Sequence, residues 1–287
     1  MLVRDKKLTV TFFLNQRLKP HVEDNGELSY PIYVQVSYNQ KNHQFKVNWD
    51  LLFYNYPLEN RGAPAYYGYV SEKIFDEVVG LLSTGPQLTF AQGAVVSHRD
   101  GLAERLHFLK ENISAIVDYE VNQFRDNFRM KGLSSRIDFY LADIMVSLDN
   151  HCNTIGCELM RKQVNDIEPT EVLNQPYFFQ NYEALRRLGL LNGLSKAEQL
   201  DFELYFLVGA FIDSTEERTT NLNWLAGNLK ANWAAFCDNN LPENRYLDAI
   251  PPHNYFFRHL RLVPPAEVSE FYTARLAAII SEQATRL

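Results

Sequence analysis

The sequence lacks several features that would assign it to a class of protein at once. It contains no run of about 18 apolar residues, so we expect no membrane span. Its first residues place an acid among the bases and lead into a strand-like stretch, which does not fit a signal peptide. The three cysteines are an odd number without framework spacing, which fits a reducing compartment. We therefore expect a cytoplasmic protein.

Motifs that carry catalysis are also missing. The 13 glycines form neither a phosphate-binding loop nor a dinucleotide fingerprint, and no serine lies in a nucleophile-elbow context. The tightest group of metal-capable residues is His151, Cys152 and Cys157. A zinc site usually needs a second close pair of ligands, which the chain does not offer. The sequence therefore predicts no cofactor and no metal site, and it favours a protein that is not an enzyme.

An excess of basic residues is missing as well. The net charge is −7, with 28 Lys and Arg against 35 Asp and Glu. Residues 1–89 carry nine side chains of each sign, and residues 90–287 carry nineteen basic and twenty-six acidic ones. A protein that binds nucleic acid over a wide surface usually has a basic excess. Any contact with DNA must therefore come from a local patch.

The chain does contain enough apolar and aromatic residues for a folded core. Hydrophobic residues make up 46% and charged residues 22% of the chain, which argues against wholesale disorder. The 287 residues allow one large domain or two ordinary ones.

The first fifty residues have the pattern of β-strands. The segments 8–14 and 30–38 are rich in β-branched and aromatic residues, and the second alternates apolar with polar side chains. A third strand is predicted at 43–47. Because three strands need cover on one face, we expect a helix at 71–82, where apolar residues recur at helical spacing.

From about residue 101 the pattern becomes helical. Apolar residues recur at spacings of three and four from Leu102 to Phe124, and prolines mark the ends of later helices. The sequence thus predicts an α+β protein with a small three-stranded antiparallel sheet and one helix at the N-terminus, followed by a mainly α-helical domain. Its predicted parts are a β-rich module at 1–85, a connector at 86–100 and an all-helical domain at 101–287.

The order of the N-terminal segments is similar to that of a known DNA-binding module. A strand that ends in Asn15 is followed by the segment YPIYVQVSYN at 30–39 and by a short strand at 45–47, with Trp49 shortly after. This order resembles the arm-type DNA-binding domain at the start of many Bacteroidetes tyrosine recombinases of the phage-integrase family. The resemblance covers about the first 80 residues, and the helical remainder does not resemble the recombinase catalytic domain.

The resemblance implies that the small sheet lies against duplex DNA, mainly through phosphate contacts that position the protein. It implies a non-catalytic, DNA-associated protein, which in one interpretation is carried by a mobile element. The basic positions that match the DNA-contacting ones are Arg17, Lys19, Lys41, His43 and Lys46.

Two alternatives stay open. One is a structural or protein-interaction protein whose sheet no longer binds DNA. Its surface for a protein partner or a second copy would include Trp224, Trp233, Tyr255 and Arg258. The other is an enzyme whose site in the helical domain is assembled from residues far apart in the chain, such as His107, His151, His253 and Arg258.

Overall fold

The computed structural model shows an α+β protein in which an antiparallel sheet is followed by helices. The chain divides into two compact units, residues 1–141 and 142–287. The sequence predicts the boundary between the β-rich module and the helical domain at 86–100, whereas the structure groups the first long helices with the sheet. The residues described by the structure are 8–48, 69–84, 98–164, 168–215, 219–240 and 265–287.

The sheet has five strands among these residues, rather than the three expected from the sequence. β3 (Leu28–Tyr38) is central: β1 (Thr9–Leu14) and β4 (Lys41–Lys46) pair with its second half, and β2 (His21–Val22) and β5 (Tyr69–Ser71) pair with its beginning. All of these pairings are antiparallel. β2 and β5 have two and three residues, which is too short for a recognisable alternation in the sequence.

A tight turn joins β3 to β4. Its residues Asn39 and Gln40 have φ angles of 49° and 65°. Two successive left-handed residues are the geometry of a type I′ turn, whose twist matches that of the strands it joins. The turn sets the register of the hairpin, in which Tyr38 lies opposite Lys41.

The register gives the sheet an apolar and a polar face. Side chains alternate between the two faces along β3, and Tyr33, Gln35 and Ser37 on the polar face are partly exposed. The alternation predicted for this strand is therefore confirmed. The residues on its apolar face are 0% exposed: Ile32, Val34 and Val36.

Three helices complete the first unit: α1 (Glu72–Thr84), α2 (His98–Phe124) and α3 (Leu133–Leu141). α1 and α2 both contact β1, so helices pack on the sheet as its apolar face requires. The helix expected at 71–82 corresponds to α1. Between α2 and α3, residues Arg125–Asn127 form a 3-10 turn.

The second unit is helical, and polar side chains start its principal helices. Asp143 accepts a hydrogen bond from the N–H of Met145, and Ser195 forms a reciprocal capping box with Glu198. None of the described helices is long and apolar enough to cross a membrane. The helices of this unit are α4 (Ile144–Gln163), α5 (Pro169–Val172), α6 (Phe178–Arg187), α7 (Lys196–Ser214), α8 (Asn221–Leu225), α9 (Lys230–Asn240) and α10 (Pro265–Thr285).

Two tryptophans expected on a partner surface lie in the core of this unit instead. Trp233 is 0% exposed and Trp224 is 5% exposed, and their ring centroids are 5.3 Å apart. Both indole N–H groups donate to backbone carbonyls of α10. A buried indole with a satisfied N–H is a core residue, so neither side chain is available to a partner. Tyr255 and Arg258 lie outside the described residues.

Buried carboxylates tie α7 to α4 and α10. Asp201, which is 2% exposed, accepts two hydrogen bonds of 2.6 Å from Arg275 and one of 2.8 Å from His151. On the same helix, Glu203 accepts a hydrogen bond of 2.8 Å from the Tyr272 hydroxyl. Burial raises the pKa of Glu203 to about 7, although the Tyr272 hydrogen bond opposes this rise.

We expect the second unit to lose stability as the pH rises from about 5 to about 8. The folded state keeps a proton on Glu203 that the unfolded state, with a pKa of about 4.3, has already released. Folding therefore takes up a proton in this range, and its free energy becomes less favourable by roughly 2–3 kcal/mol. Urea unfolding of the native chain and of Glu203→Gln at both ends of the range measures the effect.

The free energy of unfolding of the native chain, measured relative to that of Glu203→Gln, should fall as the pH rises. Glu282→Gln, which changes an exposed side chain, is the control and should show no such trend. A pH-independent difference between the native chain and Glu203→Gln would contradict the raised pKa.

Candidate nucleic-acid interface

The structure separates the basic residues that the sequence grouped together. Lys41 and His43 lie near the hairpin end of β4, and Lys46 lies at its other end. Arg17 and Lys19 follow β1, whose end pairs with the same part of β3 as Lys46 does. β4 has six residues, so roughly 16 Å separates its two ends.

The basic side chains of β4 also point to different faces of the sheet. Lys46 pairs with Tyr33 on the polar face, and its Nζ lies 5.3 Å from the centroid of the Tyr69 ring. Lys41 and His43 alternate with that position and belong to the opposite face. One flat face of the sheet therefore does not present all five predicted contacts.

His43 is mostly uncharged at neutral pH. Partial burial, and then the nearby charge of Arg136, lower the pKa of its imidazole. Its ring also packs against Phe45, with the centroids 5.5 Å apart. In the free protein His43 therefore adds little positive charge beside Lys41.

Arg136 of α3 organises the turn between α2 and α3. Its guanidinium binds the carboxylate of Glu120 through two hydrogen bonds of 2.6 and 3.0 Å. Glu120 is 1% exposed, so this pair is largely removed from water. The same guanidinium donates to the backbone carbonyls of Lys131 and Arg129. One planar, five-donor side chain therefore holds the backbone of residues 129–131.

This turn packs beside the β3–β4 hairpin and brings further cations to it. The ring of Phe128 lies edge-on to the ring of Tyr38, with the centroids 5.5 Å apart. Exposed basic side chains lie within three residues of Phe128 along the chain or opposite Tyr38 in the hairpin, and within the described part of the chain none of them forms a salt bridge. We name these four residues the basic cluster: Lys41, Arg125, Arg129 and Lys131.

Charge is distributed unevenly along β3. The turn before this strand carries Glu23, Asp24 and Glu27, and the basic cluster lies at its other end. β3 has 11 residues, which places roughly 30–35 Å between the two ends. Residues 1–141 contain sixteen basic and sixteen acidic side chains. The neutral total therefore conceals a basic cluster at the hairpin end of β3, whereas the other end combines the acidic turn with Arg17 and Lys19.

Sequence reasoning misses three of the four residues in the basic cluster. A local signal does exist, because residues 125–136 contain four basic side chains and one acidic side chain, Asp126. The helical pattern assigns this segment only to a helix end. Its position beside a hairpin about ninety residues earlier depends on the packing of Phe128 against Tyr38.

His151 and Cys152, which were considered for an enzyme or a metal site, both contact Asp201 of α7 within the second unit. His151 pairs with Asp201, and burial raises the pKa of the Cys152 thiol well above its ordinary value, which makes this thiol unreactive. His107 belongs to α2 in the first unit. Within the described ranges, no group of three or more His, Cys, Asp or Glu is placed to hold a metal. Two further candidates, His253 and Arg258, lie outside those ranges.

A comparison with protein-family models, with curated proteins and with solved structures finds no significant match for this chain. The resemblance to the recombinase module therefore stays a prediction based on its own residues.

Replacing Arg136 should destabilise the first unit. Arg136→Met leaves the buried Glu120 carboxylate without its cation and frees two backbone carbonyls, and we expect a loss of about 3 kcal/mol or more. The double variant Arg136→Met/Glu120→Leu should recover part of this loss, because it leaves no buried charge unpaired. Urea unfolding measures the free energy of unfolding of the native chain, the single variant and the double variant.

The control is Arg286→Met, which breaks a pair with Glu282 whose side chains are 70% and 61% exposed. Because water screens such pairs, we expect a loss below about 0.5 kcal/mol. Similar losses for Arg136→Met and Arg286→Met would contradict the organising role of Arg136.

Proposed function

We propose that this chain is a non-catalytic protein that binds duplex DNA through the basic cluster of its first unit. The observation that carries this proposal is the contact between Phe128 and Tyr38. This contact gathers exposed cations from two distant segments at one end of the sheet. The DNA partner is the one that the sequence resemblance implies, and the contact surface moves from the face of the sheet to its hairpin end.

The chemistry of the basic cluster suits phosphate. All four of its residues are arginine or lysine. Three of them lie on the turn between α2 and α3, whose backbone Arg136 holds in place. Guanidinium groups match the geometry of phosphate oxygens, and each neutralised phosphate releases a bound counterion. Such contacts position a protein on DNA without reading its sequence. The acidic turn at Glu23–Glu27 should repel DNA and so orient the unit.

A second candidate is a protein-contact surface on the second unit. Tyr177 and Phe179, which flank the buried Phe178 at the start of α6, are 59% and 54% exposed. Exposed aromatic side chains are enriched in protein interfaces.

If this surface joins two copies of the chain, sedimentation should show concentration-dependent self-association that Tyr177→Ser/Phe179→Ser abolishes. A monomer at every concentration would exclude a homodimer through this surface.

Reversing two charges in the basic cluster should weaken DNA binding. Fluorescence anisotropy with a labelled duplex of about 20 base pairs, titrated at several salt concentrations, measures the affinity. For Lys41→Glu/Arg129→Glu we expect a loss of at least roughly tenfold. The slope of log affinity against log salt should become shallower by about 2, because two phosphate contacts disappear.

The matched control is Arg17→Glu/Lys19→Glu, which makes the same change of charge at the other end of β1 and β4. Its affinity should stay within about twofold of the native value. Loss of binding in this control alone would return the contact to the sheet end predicted from the resemblance. No salt-dependent binding by the native chain would exclude DNA binding altogether.

A further inference from the structure

An exposed aromatic side chain stands beside the basic cluster. Phe124, the last residue of α2, is 40% exposed and is the most exposed aromatic residue in the described part of the first unit. The residue that follows it is Arg125, a member of the basic cluster. A partly exposed phenyl ring next to cations offers a stacking surface to a ligand that has a flat face.

The backbone turns sharply between this ring and the next one. Arg125 has a φ angle of 46°, a left-handed conformation that residues other than glycine rarely adopt. The N–H of Phe128 donates to the carbonyl of Arg125 at 3.2 Å and closes the 3-10 turn. Phe124 and Phe128 therefore lie at the two ends of one short turn, with Arg125 between them. Such uncommon conformations are concentrated at binding sites.

Aromatic and basic side chains thus follow each other along residues 124–131. The rings are Phe124 and Phe128, and the cations that accompany them are Arg125, Arg129 and Lys131. Sites for single-stranded nucleic acid combine cations for the backbone with rings on which bases stack. In a duplex the base faces are covered by their neighbours. A duplex can therefore use only the cations of this surface, whereas a single strand can also stack a base on the exposed ring of Phe124.

We infer that this surface binds single-stranded nucleic acid in preference to duplex, with one base stacked on the ring of Phe124 and neighbouring phosphates bound by the basic cluster. The inference rests on the proposed function, because both ligands use the same cations. It adds a distinct contact, since duplex binding does not require Phe124. The two can therefore be tested separately.

The test compares two probes on the full chain at one salt concentration: a labelled thymidine oligonucleotide of about 20 residues and a labelled duplex of the same length. The native chain should bind the single strand more tightly. Phe124→Ala should weaken single-strand binding roughly 5- to 100-fold and leave duplex binding nearly unchanged. The matched control is Phe179→Ala, which removes an exposed ring from the second unit and should change neither affinity.

A second variant distinguishes stacking from a loss of structure. Phe124→Trp should keep the single-strand affinity that Phe124→Ala loses, because an indole stacks at least as well as a phenyl ring. Relative to the native chain, its added fluorescence should be quenched by the single strand and not by the duplex. Retained binding with quenching would identify the ring itself as the contact.

The remaining outcomes separate the two proposals. Three outcomes would overturn the stacking inference alone, provided that duplex binding still depends on Lys41 and Arg129. They are equal losses of affinity for both probes in Phe124→Ala, weak single-strand binding by Phe124→Trp, and no preference of the native chain for the single strand. Absence of binding to both probes would overturn the inference and the proposed function together.

Discussion

The ion pair between Glu120 and Arg136 holds the turn that carries Arg129 and Lys131 of the basic cluster. The guanidinium compensates a carboxylate that is 1% exposed and also binds two carbonyls of residues 129–131. Removing the guanidinium would leave a buried charge alone, which is strongly destabilising. The turn therefore keeps the conformation that places Phe128 against Tyr38. The charge of Arg136 also reaches β4, where it contributes to the lowered pKa of His43.

Total charge is a poor guide to binding when opposite charges occupy opposite ends of one element. The first unit is neutral in sum, and yet β3 leads from an acidic turn to the basic cluster. Electrostatic attraction between exposed groups is screened beyond roughly 10 Å at ordinary ionic strength. A ligand at one end of the strand therefore experiences the local cations rather than the acids about 30 Å away. Neutrality of residues 1–89 does not argue against phosphate binding.

The second unit uses its polar residues differently. Asp201 and Glu203 are buried in the helical core and are matched by donors from α4 and α10. The indoles of Trp224 and Trp233 are satisfied in the same way. These groups join helices that are distant in the sequence, and buried polar groups with partners specify one arrangement of a core. The buried polar groups of the second unit therefore have a structural role, which is to fix how its helices pack.

Local sequence patterns were enough to predict the types of the principal elements. Alternation in β3 and spacings of three and four in α1 and α2 are local patterns, because burial of one face depends only on the period of the element. The short strands, the buried tryptophans and the position of the basic turn depend on contacts between distant segments. β2 and β5 are strands because β3 extends past β1 and β4 and offers them hydrogen bonds. Trp233 is buried because α10 covers it, and the turn that carries Arg129 lies beside the β3–β4 hairpin because two aromatic rings pack. Contacts between segments tens of residues apart leave no period in a sequence, which is why they had to be found in the fold.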